Sequence, residues 1–386
     1  MEISIRTKQL KAIFSYDKKI DVEDRPLEIR PYHFTQYVGV KEIEQFQQLL
    51  PATGFCSTPD NSIQENKSFS YSIFTPKGAR KLDQAILLLH GLNERNWDKY
   101  LTWAEYLSLA TGKAVILFPI AFHMNRTPNN WYNPRALMPW VAKRKQEVEH
   151  LNNSTFVNVA LSYRLSDTPL RFYISGKESL FNLWQLFTEI KTGQHPLFKK
   201  DTSINIFAYS IGAFLSQILM IANPDRLLDD SKLFMFCGGS IFSQMDGSAR
   251  DIMDYEAYRK VKNYFLNNFL VRNEHHNLLP VLYQEDFMEK AFKAMIRPNV
   301  MQEYREKFFE KVQNRVRIIT LKKDTVMPTI GAIEALGPKS AKTILEELDF
   351  PYEYSHQNPF PTNTGASPEL LYTSFESIFN RVANFL

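Results

Sequence analysis

Cysteine is scarce in this chain. Cys56 and Cys237 are the only two in 386 residues, too few for a disulfide framework. Long apolar runs are missing as well, and nothing approaches the roughly 20 residues that a membrane span needs. Residues 1–20 alternate charged and apolar side chains. With no uninterrupted apolar stretch and no small-residue cleavage pattern, they do not read as a signal peptide. Neither sign of charge dominates, since 46 Lys and Arg face 42 Asp and Glu for a net charge of +4. That balance, with no compact basic tract, argues against nucleic acid as a partner. A Gly-rich phosphate loop, a dinucleotide fingerprint and a zinc-spaced His/Cys set are all absent, so no cofactor and no metal are expected. There is no internal repeat or low-complexity tract. These absences lead to the expectation of a soluble, cytoplasmic protein, with its oligomeric state unread.

What is present is apolar and ring-rich. Hydrophobic residues make up 44% of the chain, including 29 Phe and 18 Tyr. That supplies a sizeable core whose packing and pocket walls are aromatic. The length fits one large domain or one domain with insertions.

The most informative stretch is Asn205-Ile206-Phe207-Ala208-Tyr209-Ser210-Ile211-Gly212-Ala213-Phe214. A β-favouring run meets a small-x-Ser-x-small step, and a helical pattern (Phe214, Ile218, Ile221) follows. This is the layout of a nucleophile elbow, in which a strand turns sharply into a helix with serine at the apex. The turn is tight, so the residues two before and two after must be small, as Ala208 and Gly212 are. The Ile211 amide, at the start of the helix, can point at a developing oxyanion. The pattern is common by chance, and a plain strand–turn–helix serine is the competing reading.

Three further segments bear on that choice. Gln84-Ala85-Ile86-Leu87-Leu88-Leu89-His90-Gly91-Leu92-Asn93 reads as a buried parallel strand and its loop. Arg315-Val316-Arg317-Ile318-Ile319-Thr320-Leu321 reads as a strand that runs into Asp324 on a loop, with a helical stretch over 329–336 beyond. By itself Asp324 could simply cap that helix or a turn. Leu348-Asp349-Phe350-Pro351-Tyr352-Glu353-Tyr354-Ser355-His356 reads as a short strand that ends at a histidine on a Pro-bracketed loop. A final amphipathic helix over 367–386 follows, with Leu370, Leu371, Phe375, Ile378, Phe379 and Val382 at helical spacing.

The chain order Ser210, Asp324, His356 is the nucleophile–acid–histidine order of α/β-hydrolases. From about Phe69 to its end the chain resembles that superfamily, on the His90-Gly91 loop, the Ala208-to-Gly212 elbow, Asp324 and His356. Ala208 departs from the family's more usual glycine. The wording around Phe118-Pro119-Ile120-Ala121-Phe122-His123 is similar to an uncharacterised, Bacteroidetes-type branch. The resemblance implies that Ser210 is the nucleophile, His356 the base and Asp324 its orienting acid. It also implies an oxyanion hole built from the Ile211 and Leu92 amides, with Asn93 an alternative or additional donor and His90 bracing the loop.

The expected fold is α/β: an α/β-hydrolase-like, mostly parallel sheet flanked by helices over 67–386. An N-terminal extension over 1–66 would pack on this core, with a strand at 3–6 and a helix at 40–50. A low-periodicity stretch is expected up to 175, then a helix over 176–191. Residues 243–314 are helical and rich in Tyr, Phe, Met and Leu, and the resemblance makes them a cap over the site. An aromatic stripe is, however, more often ordinary core. The expected function is hydrolysis of an ester or related acyl bond. The alternatives are a non-catalytic binding protein of the same fold and an acyltransferase. His123 and Arg126 lie on the loop after the strand at 114–118, which can face the pocket, and Arg126 is expected to be a surface residue rather than an anion ligand. His275-His276 is a weak metal signal because adjacent helical residues point apart. Trp131 either walls the cleft or packs.

Overall fold

The continuous apolar run of residues 85–89 forms a strand buried on both faces, as a central parallel strand requires. Period two sends Leu87 and Leu89 into one apolar layer and Ile86 and Leu88 into the other. The computed structural model describes residues 2–52, 54–270, 286–362 and 365–386. The described strands are β1 (Ile20–Val22), β2 (Leu27–Thr35), β3 (Ser68–Pro76), β4 (Leu82–Leu89), β5 (Ala114–Leu117), β6 (Phe198–Tyr209), β7 (Leu233–Phe236), β8 (Val316–Leu321) and β9 (Leu345–Leu348). They form one sheet in the order β1-β2-β3-β5-β4-β6-β7-β8-β9. The pairs from β5 through β9 are parallel, and β1, β2 and β3 add an antiparallel edge. Helices cover both faces. This is an α/β-hydrolase-like fold.

The helices follow from local rules. In chain order they are α1 (Ile3–Ile13), α2 (Val40–Gln48), α3 (Gln64–Lys67), α4 (Asp98–Thr111), α5 (Pro134–Glu147), α6 (Val159–Asp167) and α7 (Leu170–Lys191). Then come α8 (Ile211–Ala222), α9 (Tyr255–Asn263), α10 (Phe287–Ala294), α11 (Gln302–Val312), α12 (Thr329–Leu336), α13 (Pro338–Ile344) and α14 (Pro368–Phe385). Gly112 stops α4 in the left-handed conformation at φ 69°. Ser367 caps α14 by accepting from the Leu370 amide, with Pro368 in the first turn. Among the described residues no helix is long and apolar enough to cross a membrane.

Several elements differ from the sequence expectation. Residues 3–6 alternate like a strand but begin α1, because Arg6 and Leu10, one turn apart, bury together. Arg6 there forms a buried ion pair with Glu105 of α4. The segment before residue 66 also contributes β1 and β2, hydrogen-bonded in continuity with β3. The stretch up to 175 holds α6 and the first turn of α7. Its inward positions are charged, which hides the apolar period: Arg164 and Arg171 are buried and both pair with Asp60. Finally, β9 ends at Leu348 and His356 lies on a loop beyond it. Phe350 and Tyr352 alternate as strand residues would. They stack instead, 5.4 Å apart, in an aromatic cluster with Phe360, while Pro351 and Pro359 bracket the segment.

Candidate active site

The chain turns from β6 into α8 at Ser210, whose backbone sits at φ 56°, ψ −123°. A non-glycine residue there stores strain of order 1–3 kcal/mol, which persists only where the surroundings hold it. The holding contacts are close. A Cβ on Gly212 would lie 2.8 Å from the His90 carbonyl oxygen and 2.8 Å from the Leu89 Cβ. Only glycine therefore lets α8 start against the end of β4, where the Gly212 amide donates to His90 O at 3.2 Å. Gly238, after β7, meets the elbow in the same way, since a Cβ there would lie 2.5 Å from the Ala213 Cβ.

This crowding brings the ends of β4, β6 and β8 together at the carboxyl edge of the sheet. The strand order reverses at β4, the usual place for a ligand crevice in such sheets. Ser210 Oγ lies 2.7 Å from His356 Nε2, and His356 Nδ1 lies 2.7 Å from Asp324 Oδ2. All three residues are buried. The other carboxylate oxygen of Asp324 accepts from the Val326 and Met327 amides, both at 2.9 Å. Asp324 therefore caps a turn with one oxygen and faces the histidine with the other. Because Nδ1–H is donated to a carboxylate, Nε2 is left as an acceptor for the serine hydroxyl.

The loop after β4 lies beside the serine. His90 is buried and braces it, donating from Nδ1 to Gly91 O at 2.8 Å and accepting at Nε2 from the Ile120 amide at 3.1 Å. Burial pushes its pKa well below the usual imidazole value, with His123 adding to the fall. Tyr100 accepts from the Gly91 amide and donates to Glu94, both at 2.9 Å. Leu92 and Ile211 share the wall of the cavity that contains Ser210. Among the described residues neither amide donates to another group of the chain. The Asn93 side chain is committed elsewhere, since its amide donates to the carbonyls of Val157 and Asp251.

The same cavity is almost wholly apolar, a space of about 50 Å³ walled by Phe172, Phe242, Met253, Val326 and Met327. The 243–314 segment supplies part of the wall through Met253, Tyr258 and Val261. It also supplies buried core, where Phe265, Phe269 and Phe292 pack on one another. Two ion pairs, the first buried and the second partly exposed, anchor its helices to the body. Arg144 of α5 holds Asp254, which caps α9, and Lys177 of α7 holds Asp286, which caps α10.

Two secondary expectations change. Arg126 is not a surface residue. It is fully buried and donates to Pro119 O, to Asn66 O and Oδ1, and to Asn182 Oδ1. Trp131 packs under the Arg164 guanidinium at 4.3 Å and lines a second cavity rather than the one that holds Ser210. His275 and His276 lie outside the described residues.

Sequence reasoning missed Tyr209. Its hydroxyl donates to the backbone carbonyl of His356, and its ring stacks on the imidazole at 5.6 Å and 21°. Lys99 lies over the Tyr209 ring at 4.5 Å, donates to Gln357 O at 3.1 Å and pairs with Glu94. Strand alternation placed Tyr209 on the face opposite Ala208. That was the available signal, but nothing in the sequence said that the histidine loop would arrive there.

Comparisons with known proteins add a family. No curated protein sequence matches this chain. Among solved structures it is similar to carboxyl esterase 2 from the mycorrhizal fungus Tuber melanosporum, at 10% identity and a TM-score of 0.46, covering 99% of this chain and 98% of that one. It is similar also to a cold-adapted esterase from an Arctic intertidal metagenomic library (10% identity, TM-score 0.42, 97% of this chain and 100% of that one). A third is the hyperthermophilic esterase from the archaeon Pyrobaculum calidifontis (11% identity, TM-score 0.37, 82% and 79%). One described family matches nearly the whole length, over residues 5–386, and this chain belongs to it: DUF6051, a family of unknown function.

Proposed function

We propose that this chain is a serine hydrolase that cleaves an ester or related acyl bond of a small molecule through Ser210, His356 and Asp324. The observation that carries the reading is the unbroken hydrogen-bonded chain from Asp324 through His356 to Ser210, with both contacts at 2.7 Å. In this reading His356 takes the Ser210 proton as the oxygen attacks the substrate carbonyl. Asp324 keeps the imidazole in the required tautomer and stabilises the imidazolium. The Leu92 and Ile211 amides receive the oxyanion, each worth on the order of 3 kcal/mol in the transition state. His356 then returns its proton to the leaving group, and water releases the acyl-enzyme. The apolar cavity takes the hydrophobic part of the substrate, and the 243–314 segment acts as the cap that excludes water.

The test is labelling of the full chain with a fluorophosphonate probe beside Ser210→Ala. Label on the parent that disappears in the variant is the expected result. A folded parent that takes no label would refute the reading.

A further inference from the structure

A second cavity adjoins the first, with Leu92 and Phe172 as common walls. Its character is different: it is more polar than the first, with Arg95, His123, Trp131, Tyr132 and Arg164 set among apolar side chains. Two groups in its lining lack the partners expected of them. Arg95 is half-buried, and its Nη2 donates to the carbonyls of Phe156 (2.9 Å) and Val157. Its Nε and Nη1 donors engage nothing among the described residues, and no carboxylate there forms an ion pair with it. Asp251 acts on it only from a distance. A guanidinium taken partly out of water without an anion is costly, and burial indeed lowers its pKa. The other cations are balanced, since Arg164 and Arg171 share Asp60 and Arg171 also binds Asp167, while Glu94 is held by Lys99. The second group is His123, buried, with Nδ1 2.9 Å from Ala121 O and Nε2 without a partner among the described residues. The contact to a carbonyl sets Nδ1–H as donor and leaves Nε2 as a lone-pair acceptor.

We propose that this cavity is a subsite for a carboxylate carried on an aromatic ring of the substrate, with Arg95 as its ligand. The inference rests on the serine-hydrolase reading of the adjoining site. One unpaired guanidinium matches a monoanion, and its planar fork matches a carboxylate. Trp131, which carries the Arg164 guanidinium on one face, and Tyr132 give the space an aromatic wall for the ring. Arg95 follows the proposed oxyanion donor Leu92 by three residues, so their Cα atoms are at most roughly 11 Å apart. A single ring can bridge that span between a scissile carbonyl and an anion. The substrate class is therefore an aryl ester with its acyl chain in the apolar cavity and its carboxylate on the phenolic leaving group.

The experiment compares para-butyryloxybenzoate with its methyl ester, using the full-length parent and Arg95→Gln. The parent should favour the anionic ester in kcat/KM by on the order of tenfold, the size of one charge-assisted hydrogen bond. That ratio should fall toward one in Arg95→Gln. Equal rates in the parent, or a preference that survives in the variant, overturn the subsite. A variant-free arm protects against misfolding: para-hydroxybenzoate should inhibit methyl-ester hydrolysis competitively and para-hydroxybenzamide should not, and equal inhibition by both overturns the proposal. Failure of the underlying reading looks different, because then neither ester shows turnover that depends on Ser210. In that case calorimetric binding of para-hydroxybenzoate to parent and Arg95→Gln decides the subsite, and equal affinities overturn it.

Discussion

Replacing Tyr209 by Phe removes one oxygen and tests how His356 is held. The ring stack on the imidazole and the Lys99 contact both survive, because they use the ring. What disappears is the donor to the His356 carbonyl. That carbonyl belongs to a buried residue, so the loss combines a hydrogen bond with an acceptor left unsatisfied, about 1–3 kcal/mol together. The loop can recover part of this by shifting toward water, at the cost of the 2.7 Å contact between His356 Nε2 and Ser210. If about 1.4 kcal/mol of it reaches the transition state, kcat falls about tenfold. KM should change little, because Tyr209 is not among the residues lining the Ser210 cavity. The assay is kcat and KM on a neutral phenyl ester, with the rate of fluorophosphonate labelling and a thermal melt alongside. Slower labelling with KM unchanged is the signature of a positioning residue. A lower melting temperature with parental labelling and kcat would refute the reasoning, since the hydroxyl would then serve only stability.

Three more outcomes follow from the same geometry. Asp324→Asn should keep the turn, because one oxygen still accepts from the Val326 and Met327 amides. It should lower kcat roughly ten-thousand-fold by favouring the wrong imidazole tautomer, read by steady-state kinetics on a folded variant. Ser210→Gly should abolish labelling yet melt higher than Ser210→Ala, which loses the same hydroxyl and its bond to His356, because glycine adopts φ 56° freely and relieves about 1 kcal/mol of strain; a melting temperature no higher than that of Ser210→Ala contradicts stored strain there. Glu178 has its pKa pushed from 4.5 up to about 7 by burial, with Arg126 opposing the shift. The folded state thus binds the extra proton between those values, and this contribution to stability, at most about 3 kcal/mol, is complete below 4.5 and lost as pH rises through 7. Denaturant titrations should show Glu178→Gln gaining on the parent as pH rises from 5 to 8 (about the window set by that shift), and a pH-independent difference contradicts it.

Much of the site was legible because elbow chemistry is local. Ala208, Ser210 and Gly212 announce a tight strand-to-helix turn from steric need alone, and the structure puts the positive φ at Ser210. The apolar run of β4, the strand leading to Asp324 and the terminal helix were equally readable, since each is a local hydrophobic period. The errors share one cause, a local pattern overruled by distant contacts. Residues 3–6 alternate yet form a helix that docks on α4 through Glu105. Arg126 looks like a surface residue until Asn66 and Asn182 close on it from other elements.

By itself, then, the chain determined which segments are strands and helices around the site, and which residue types it offers for acyl chemistry. Those follow from propensity, periodicity and turn sterics, all of which act over a few residues. Only the tertiary structure decided that His356 meets both Ser210 and Asp324, that Tyr209 and Lys99 hold its loop, and that Arg95, beside Leu92, forms no ion pair among the described residues. Those facts join residues separated by as many as 258 positions. Their geometry depends on strand order and on close contacts such as that at Gly212, and no local pattern carries either.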